Sequence, residues 1–367
     1  MLTSNSQLLT ATVPCNCNGT RQDGTVCSRS GRSLQSVVGN NMACAHVNKG
    51  LAVTEKNFAD RLANAIREKK TPLIVGLDPV YELLPPAIIN RPGFSDVSSC
   101  AACVDALSEF GRKIIRTAAP HVPAVKINIA YFERYLWDGV EAYYNLVQEA
   151  HGHGLLVIGD VKRGDIGHTS TQYALGNLGD CHWADTGTTL GPDAITVNAY
   201  FGVDGIAPFT DVAKAQGKGA FALLRTSNAS SKQIQEIPTA DGRPVFLHVA
   251  DLIEQWGREL RGQCGFSSFG AVVGATSGAA IAQLRQAMPH TIFLIPGIGA
   301  QGGSLADCAH AFNSDGLGAV ISASRSIIFA HRESRFADLP PAQWTGAVEQ
   351  AILETKAEIG QAIPAFR

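Results

Sequence analysis

"LLVIGDVKRGDIGHT", residues 155–169, runs from an uninterrupted apolar stretch straight into a cluster of charge. Leu155 to Ile158 read as a strand buried on both faces. Alternate side chains of a strand share a face, so Asp160 and Lys162 point one way and Val161 the other. Asp165 lies past the strand end, where the chain turns. Charged groups leave water at a high cost unless they are paired or used. A buried strand that ends in carboxylate, ammonium and carboxylate therefore marks the rim of a site.

Seven further runs have the same texture: "LIVGLD" (73–78), "AVKINI" (124–129), "AITVNA" (194–199), "AFALLRTS" (220–227), "AVVGA" (271–275), "TIFLIPGI" (291–298) and "AVISASR" (319–325). Helical periodicity separates them over 101–118, 132–151, 244–260, 278–287 and 303–312, and 342–358 closes the chain. Near-continuous apolar strands joined by crossover helices imply a parallel sheet covered by helices. Eight such units within about 310 residues predict an α/β fold of the (β/α)8 TIM-barrel type. The alternative is an open doubly wound sheet. That fold carries one Gly-rich turn after its first strand, whereas polar residues here close nearly every strand.

The chain divides unevenly. Residues 1–54, rich in Ser, Thr, Asn, Gly and Cys and without a sustained period, read as a disordered N-terminal extension. Residues 55–367 read as one barrel domain. Its first segment, "TEKNFADRLANAIREKK" (54–70), predicts an extra N-terminal helix capped by Thr54, with Phe58, Leu62 and Ile66 on one face. Asn177–Asp193 reads as a long loop before the fourth strand.

Composition narrows the functional classes. A net charge of −2 over 367 residues exerts no general pull on nucleic acid or anionic membrane. No run approaches the roughly 18 apolar residues of a membrane span. The first 20 residues contain no Lys or Arg, unlike a signal peptide, so a cytoplasmic location is expected. Nine cysteines are scattered. Cys15-x-Cys17 and Cys100-x-x-Cys103 lack the second pair or the spaced His that a metal site needs, so no metal is expected.

Three consecutive strands deliver charge to one rim: Asp78, then Lys126 with Asn128 on its face, then Asp160 with Lys162. An ammonium held between carboxylates keeps its proton. That disfavours a Schiff-base nucleophile and suits a lysine that protonates a carbanion. A carboxylate at the reaction centre repels a substrate carboxylate and favours its loss as neutral CO2. The set fits decarboxylation without a cofactor, driven by differential binding of ground and transition states. Across the barrel, "PGIGAQGG" (296–303), with Gly297 and Gly299, offers backbone N–H groups to a phosphate. Arg325, closing the eighth strand in "SASR", can grip phosphate oxygens. The loops after strands seven and eight are the usual phosphate position of this fold. "RTSNASS" (225–231) supplies hydroxyl and amide groups suited to a polar heterocycle.

The ordered set "VGLDP", "KIN", "DVKRGDI", "RTSN", "PGIGAQGG" and "SASR" resembles the orotidine 5'-phosphate decarboxylase family, most of all its longer bacterial form, over about residues 56–335. The resemblance implies a catalytic network of Lys126, Asp160, Lys162 and Asp165. In it Lys162 protonates C6 of the pyrimidine, and Asp160 crowds the substrate carboxylate. It also implies that Asp78 and Lys126 bind ribose hydroxyls, Ser227 reads the pyrimidine edge, Arg325 holds the phosphate and Gln301 is a lid glutamine. Asp165, Ile166 and Thr169 are implied to reach across a homodimer interface. "DIGHT" departs from the Ile-Pro-Asn-Thr of shorter members. Two other readings stay open: a Mg2+-dependent sugar-phosphate lyase with a related Asp-x-Lys-x-x-Asp string, and a non-catalytic phosphate-binding barrel.

Overall fold

The structure, a computed structural model, describes residues 57–90, 100–179, 191–276, 278–298 and 303–367. The extension expected over 1–54 lies outside them. Eight strands, β1 (Leu73–Leu77), β2 (Ala124–Asn128), β3 (Leu156–Arg163), β4 (Ala194–Asn198), β5 (Gly219–Arg225), β6 (Ser267–Val273), β7 (Thr291–Pro296) and β8 (Ala319–Ala323), close into a barrel in sequence order. Every neighbouring pair is parallel, from β1 with β2 round to β1 with β8. This is the expected TIM barrel, and the doubly wound alternative is excluded.

The helices are α1 (Phe58–Lys69), α2 (Cys100–Ala118), α3 (Leu136–Gly152), α4 (Gly167–Asn177), α5 (Val203–Gln216), α6 (Val245–Trp256), α7 (Gly278–Ala287), the single turn α8 (Leu305–Cys308) and α9 (Trp344–Ala362). Three expected helices are shorter than their periodicity, among them 244–260, which is α-helical over Val245–Trp256 and ends in a 3-10 turn over Arg258–Leu260. The segment 132–151 is split, because a separate turn over Ala130–Glu133 precedes α3. The segment 303–312 holds only α8 and a 3-10 turn. Within the expected loop Asn177–Asp193, residues 180–190 lie outside the described part.

Strand alternation builds two cores. Val75, Val125, Val157 and Ile195 pack outward among helix residues such as Phe110, Leu146 and Phe209. Ile74, Ala124, Ile158, Ala194, Phe221 and Val320 pack inward with Phe58, Leu62 and Ile66 of α1. The extra N-terminal helix thus plugs the bottom of the barrel, with the Phe58 ring edge-on to Phe221 at 6.0 Å. Full burial of a side chain of that size contributes about 2–3 kcal/mol. The helix cap differs from the expected one. Asn57 Oδ1 accepts from the N–H groups of Ala59 (2.9 Å) and Asp60 (3.3 Å), and Thr54 lies outside the described residues. Asn57 is the better cap because its short amide stands directly before the first helical residue.

Asp193, at the foot of β4, ties this plug to the wall. Its carboxylate accepts from Val157 N–H (2.8 Å), from His151 Nε2 (3.0 Å) and from the Arg61 guanidinium of α1. Burial alone would raise its pKa, but the His151 and Arg61 contacts hold it down at about 2. A depressed carboxylate pKa supplies stability above the unfolded value of 3.8 and loses it as pH falls toward about 2. Asp193→Asn is expected to cost about 2 kcal/mol at neutral pH and to flatten the acid limb of the stability curve between about pH 4 and pH 2. Urea unfolding across that range checks it, and an unchanged acid limb would contradict it.

Candidate active site

Two residues above the apolar inner layer, the same strands turn polar. Ile74, Ala124, Ile158, Ala194 and Val320 are followed at that spacing by Gly76, Lys126, Asp160, Thr196 and Ser322. Lys126, Asp160, Thr196 and Ser322 floor a cavity of 420 Å³ at the C-terminal end of the barrel, within the size range of small-molecule sites. Its polar lining includes Asp78, Lys126, Asn128, Asp160, Lys162 and Ser227. Leu223, Val272, Leu294 and Pro296 form an apolar wall, and Gly297 and Arg325 stand at the phosphate end expected from the sequence.

At the centre is Asp160. Lys126 Nζ donates to its Oδ2 at 2.7 Å and Lys162 Nζ to its Oδ1 at 2.5 Å. Thr196 Oγ1 donates to Oδ1 at 2.9 Å. Burial by itself would raise the Asp160 pKa, but the two ammonium charges and their hydrogen bonds hold it far below the usual carboxylate range. Burial would likewise lower Lys126, yet Asp160 and Asp78 raise it above an ordinary lysine. The two lysines differ in access: the Lys126 side chain is 8% exposed and Lys162 51%. Both line the cavity, and Lys162 is the more open of the two.

The expected ammonium between two acids is reversed within one chain. Here an acid lies between two ammonium groups. Asp165 is absent from the cavity lining, and its Oδ1 accepts from the N–H of Ile166 at 2.8 Å. The physical reason is that α4 starts at Gly167, so the chain turns outward immediately after Asp165. Ile166 and Thr169 are exposed at the start of that helix and also lie outside the cavity. Gly299 and Gln301 lie outside the described residues.

Two close fits shape the rim. A Cβ on Gly76 would stand 2.8 Å from Ser324 Cβ, so glycine lets Ser324 close over the first strand. Ser324 Oγ then donates to Asp78 Oδ2 at 2.6 Å, and Asp78 Oδ1 is buried without a hydrogen-bond partner among the described residues. On a residue that lines the cavity, a buried acceptor without a partner is a point where a ligand hydroxyl can be taken up. Gly297, with φ 98, makes the turn after β7, a conformation other residues rarely adopt.

Sequence reasoning passed over Thr196, Tyr131 and the apolar wall. Thr196 sits inside an apolar strand and looks like β-branched filler. Tyr131 follows the second strand; desolvation and the Asp78 charge push its phenol pKa up, against the opposing charge of Arg325. Leu223, Val272 and Leu294 belong to runs that read equally well as core. Cys100 and Cys103 are free thiols at the start of α2. Among the described residues no group of three His, Cys, Asp or Glu side chains could hold a metal, and no helix is long and apolar enough to cross a membrane.

Residues 71–337 match the model of the orotidine 5'-phosphate decarboxylase / HUMPS family. The chain is similar to the orotidine 5'-phosphate decarboxylase of Rhodopirellula baltica, with 36% identity over 82% of this chain and 98% of that protein. It is 38% identical to the same-named protein of Clostridium botulinum, over 75% of this chain and 90% of that one. Among solved structures it resembles Leishmania donovani OMP decarboxylase, with a TM-score of 0.62 and 28% identity over 83% of this chain and 98% of that one.

Removing the central carboxylate leaves a buried ammonium unpaired beside a second one. Asp160→Ala is expected to destabilise the fold by about 3–5 kcal/mol, and Lys126→Met in the same chain to recover much of the loss. Denaturant titration of the three proteins checks this. A loss below about 1 kcal/mol for Asp160→Ala would show that the pair is not desolvated as described.

Proposed function

For a chain that belongs to the orotidine 5'-phosphate decarboxylase / HUMPS family, we propose that the cavity binds orotidine 5'-phosphate and releases its carboxylate as CO2, leaving uridine 5'-phosphate. The chain is on this reading a carboxy-lyase of pyrimidine biosynthesis. The observation that carries it is the shared cavity: Asp160 and Lys162 line one side, Gly297 and Arg325 the other.

Placed between these ends, a nucleotide puts its phosphate against Arg325 and the turn at Gly297. Its ribose meets the orphaned Asp78 Oδ1 and Lys126, and its pyrimidine edge meets Ser227. The C6 carboxylate then faces Asp160, which the two lysines keep ionised. Repulsion between the two carboxylates is relieved as the C6–carboxylate bond breaks and neutral CO2 leaves toward the apolar wall. The bonding pair stays on C6. Lys162 delivers a proton to it, forming the C–H bond of the product, and regains a proton from solvent.

The donor set argues against the Mg2+-dependent lyase. Asp160 already accepts from Lys126, Lys162 and Thr196, and two adjacent ammonium groups repel a divalent cation. An intact acid–base pair likewise has no purpose in a purely binding barrel. The purified chain is expected to turn over orotidine 5'-phosphate, seen as loss of its ultraviolet absorbance, equally with and without EDTA. Lys162→Ala is expected to lose at least about 1000-fold in kcat while still folding. Activity that EDTA abolishes would select the lyase, and no turnover at all the binding barrel.

The position of Asp165, half-buried and outside the cavity, with Ile166 and Thr169 exposed beside it, fits a homodimer in which each copy completes the other's site. They adjoin α4 and α5, where Tyr200 (81% exposed), Val203 and Phe201 form an apolar surface. A second copy's Asp165 would supply the other carboxylate expected beside Lys162. Equal mixing of Lys162→Ala and Asp165→Ala proteins is expected to restore about a quarter of wild-type activity, because half the dimers are mixed and each holds one intact site. No recovery after verified subunit exchange would remove the shared site.

A further inference from the structure

The β3–β4 ladder breaks where the catalytic pair stands. Gly159 pairs with Ile195 and Arg163 with Val197, so β3 spends four residues where β4 spends two. Bulges of this kind re-aim side chains beside active sites. Within the bulge Lys162 adopts φ 46, a left-handed conformation uncommon for a residue with a side chain. Such geometry persists only where its surroundings over-determine it.

The residue opposite the bulge, between Ile195 and Val197, is Thr196. Its side chain replaces the missing backbone ladder. Thr196 Oγ1 accepts from the Lys162 backbone N–H at 2.9 Å and donates its own proton to Asp160 Oδ1 at 2.9 Å. The residue is 1% exposed, and its hydroxyl meets both members of the pair at once. A hydroxyl is the one small group that can accept from an amide and donate to a carboxylate from one atom. Because the donated bond fixes which way the hydroxyl proton points, the lone pairs are left facing the amide.

We propose that Thr196 is a positioning residue: its hydroxyl locks the bulge so that the Lys162 ammonium and the Asp160 carboxylate meet the reacting carbon together. This rests on the decarboxylase reading for its kinetic consequence, but the geometric claim stands apart from it. Thr196→Val keeps the shape and removes the hydroxyl, while Thr196→Ser keeps the hydroxyl and removes the methyl group. Thr196→Val is expected to lower kcat about 100-fold, the scale of a small misplacement of reacting groups, with KM and uridine 5'-phosphate affinity within about 3-fold. Thr196→Ser is expected to return kcat to within about 5-fold of wild type. A merely structural role would instead move both variants together, or move KM with kcat.

Crystal structures of the two variants supply the independent readout. In Thr196→Val the Lys162 backbone or the Asp160 carboxylate is expected to leave its present position, and in Thr196→Ser both are expected to stay. An unshifted pair in Thr196→Val, a near-normal kcat in that variant, or equal losses in both variants would overturn the proposal. If wild type fails to turn over orotidine 5'-phosphate, the decarboxylase reading falls, and the crystallographic comparison still decides the role of Thr196.

Discussion

The Asp160 carboxylate meets Lys126 at 2.7 Å and Lys162 at 2.5 Å, and the upper half of the barrel is arranged around those two contacts. Neither Asp160 nor Lys126 alone would be stable at such depth, since a buried ion without a counter-charge costs several kcal/mol. One carboxylate shared by two ammonium groups carries a local excess of positive charge. The Asp78 carboxylate, at the end of the neighbouring strand, balances that excess formally. Arg325 adds a further positive charge to the cavity lining, and an anionic substrate would meet it there.

The surroundings convert that balance into direction. Lys126 is largely enclosed and holds Asp160 in place from the cavity floor, whereas Lys162 emerges from a bulged, left-handed backbone into open space. The apolar residues Leu223, Val272 and Leu294 face the polar cluster across the same cavity. A carboxylate entering there loses water on one side and meets a like charge on the other. Neutral CO2 suffers neither penalty. The same fold separates the two ends of the barrel: α1, Phe221 and the Asp193 contacts close the bottom, and the charged cluster and its cavity lie at the other end.

Most of the barrel was legible because parallel strands buried on both faces write themselves as apolar runs, and all eight runs became strands. Helix ends were less legible. Thr54 and Asn57 are both acceptable caps by composition, and only the position of the first helical turn chose Asn57. The short α8 shows that a periodic segment need not complete its helix when the chain must return quickly to β8. At the site, Asp78, Lys126, Asp160, Lys162, Ser227, Gly297 and Arg325 stood out as polar residues closing apolar strands, and all line the cavity. Thr196 did not stand out, because a threonine within a strand is ordinary until its hydroxyl is seen between the Lys162 N–H and the Asp160 carboxylate.

The amino-acid sequence by itself determined the strand count, the parallel order and which strand ends carry charge, since these follow from local periodicity and spacing. Only the tertiary structure decided that Asp160 lies between the lysines, that Asp165 turns away, and that Asp78 keeps an unfilled acceptor. Those outcomes depend on barrel closure, which sets β1 beside β8 and β3 beside β4 in a register with a bulge. Distances between residues far apart in the chain are fixed by that register, and no local pattern encodes it.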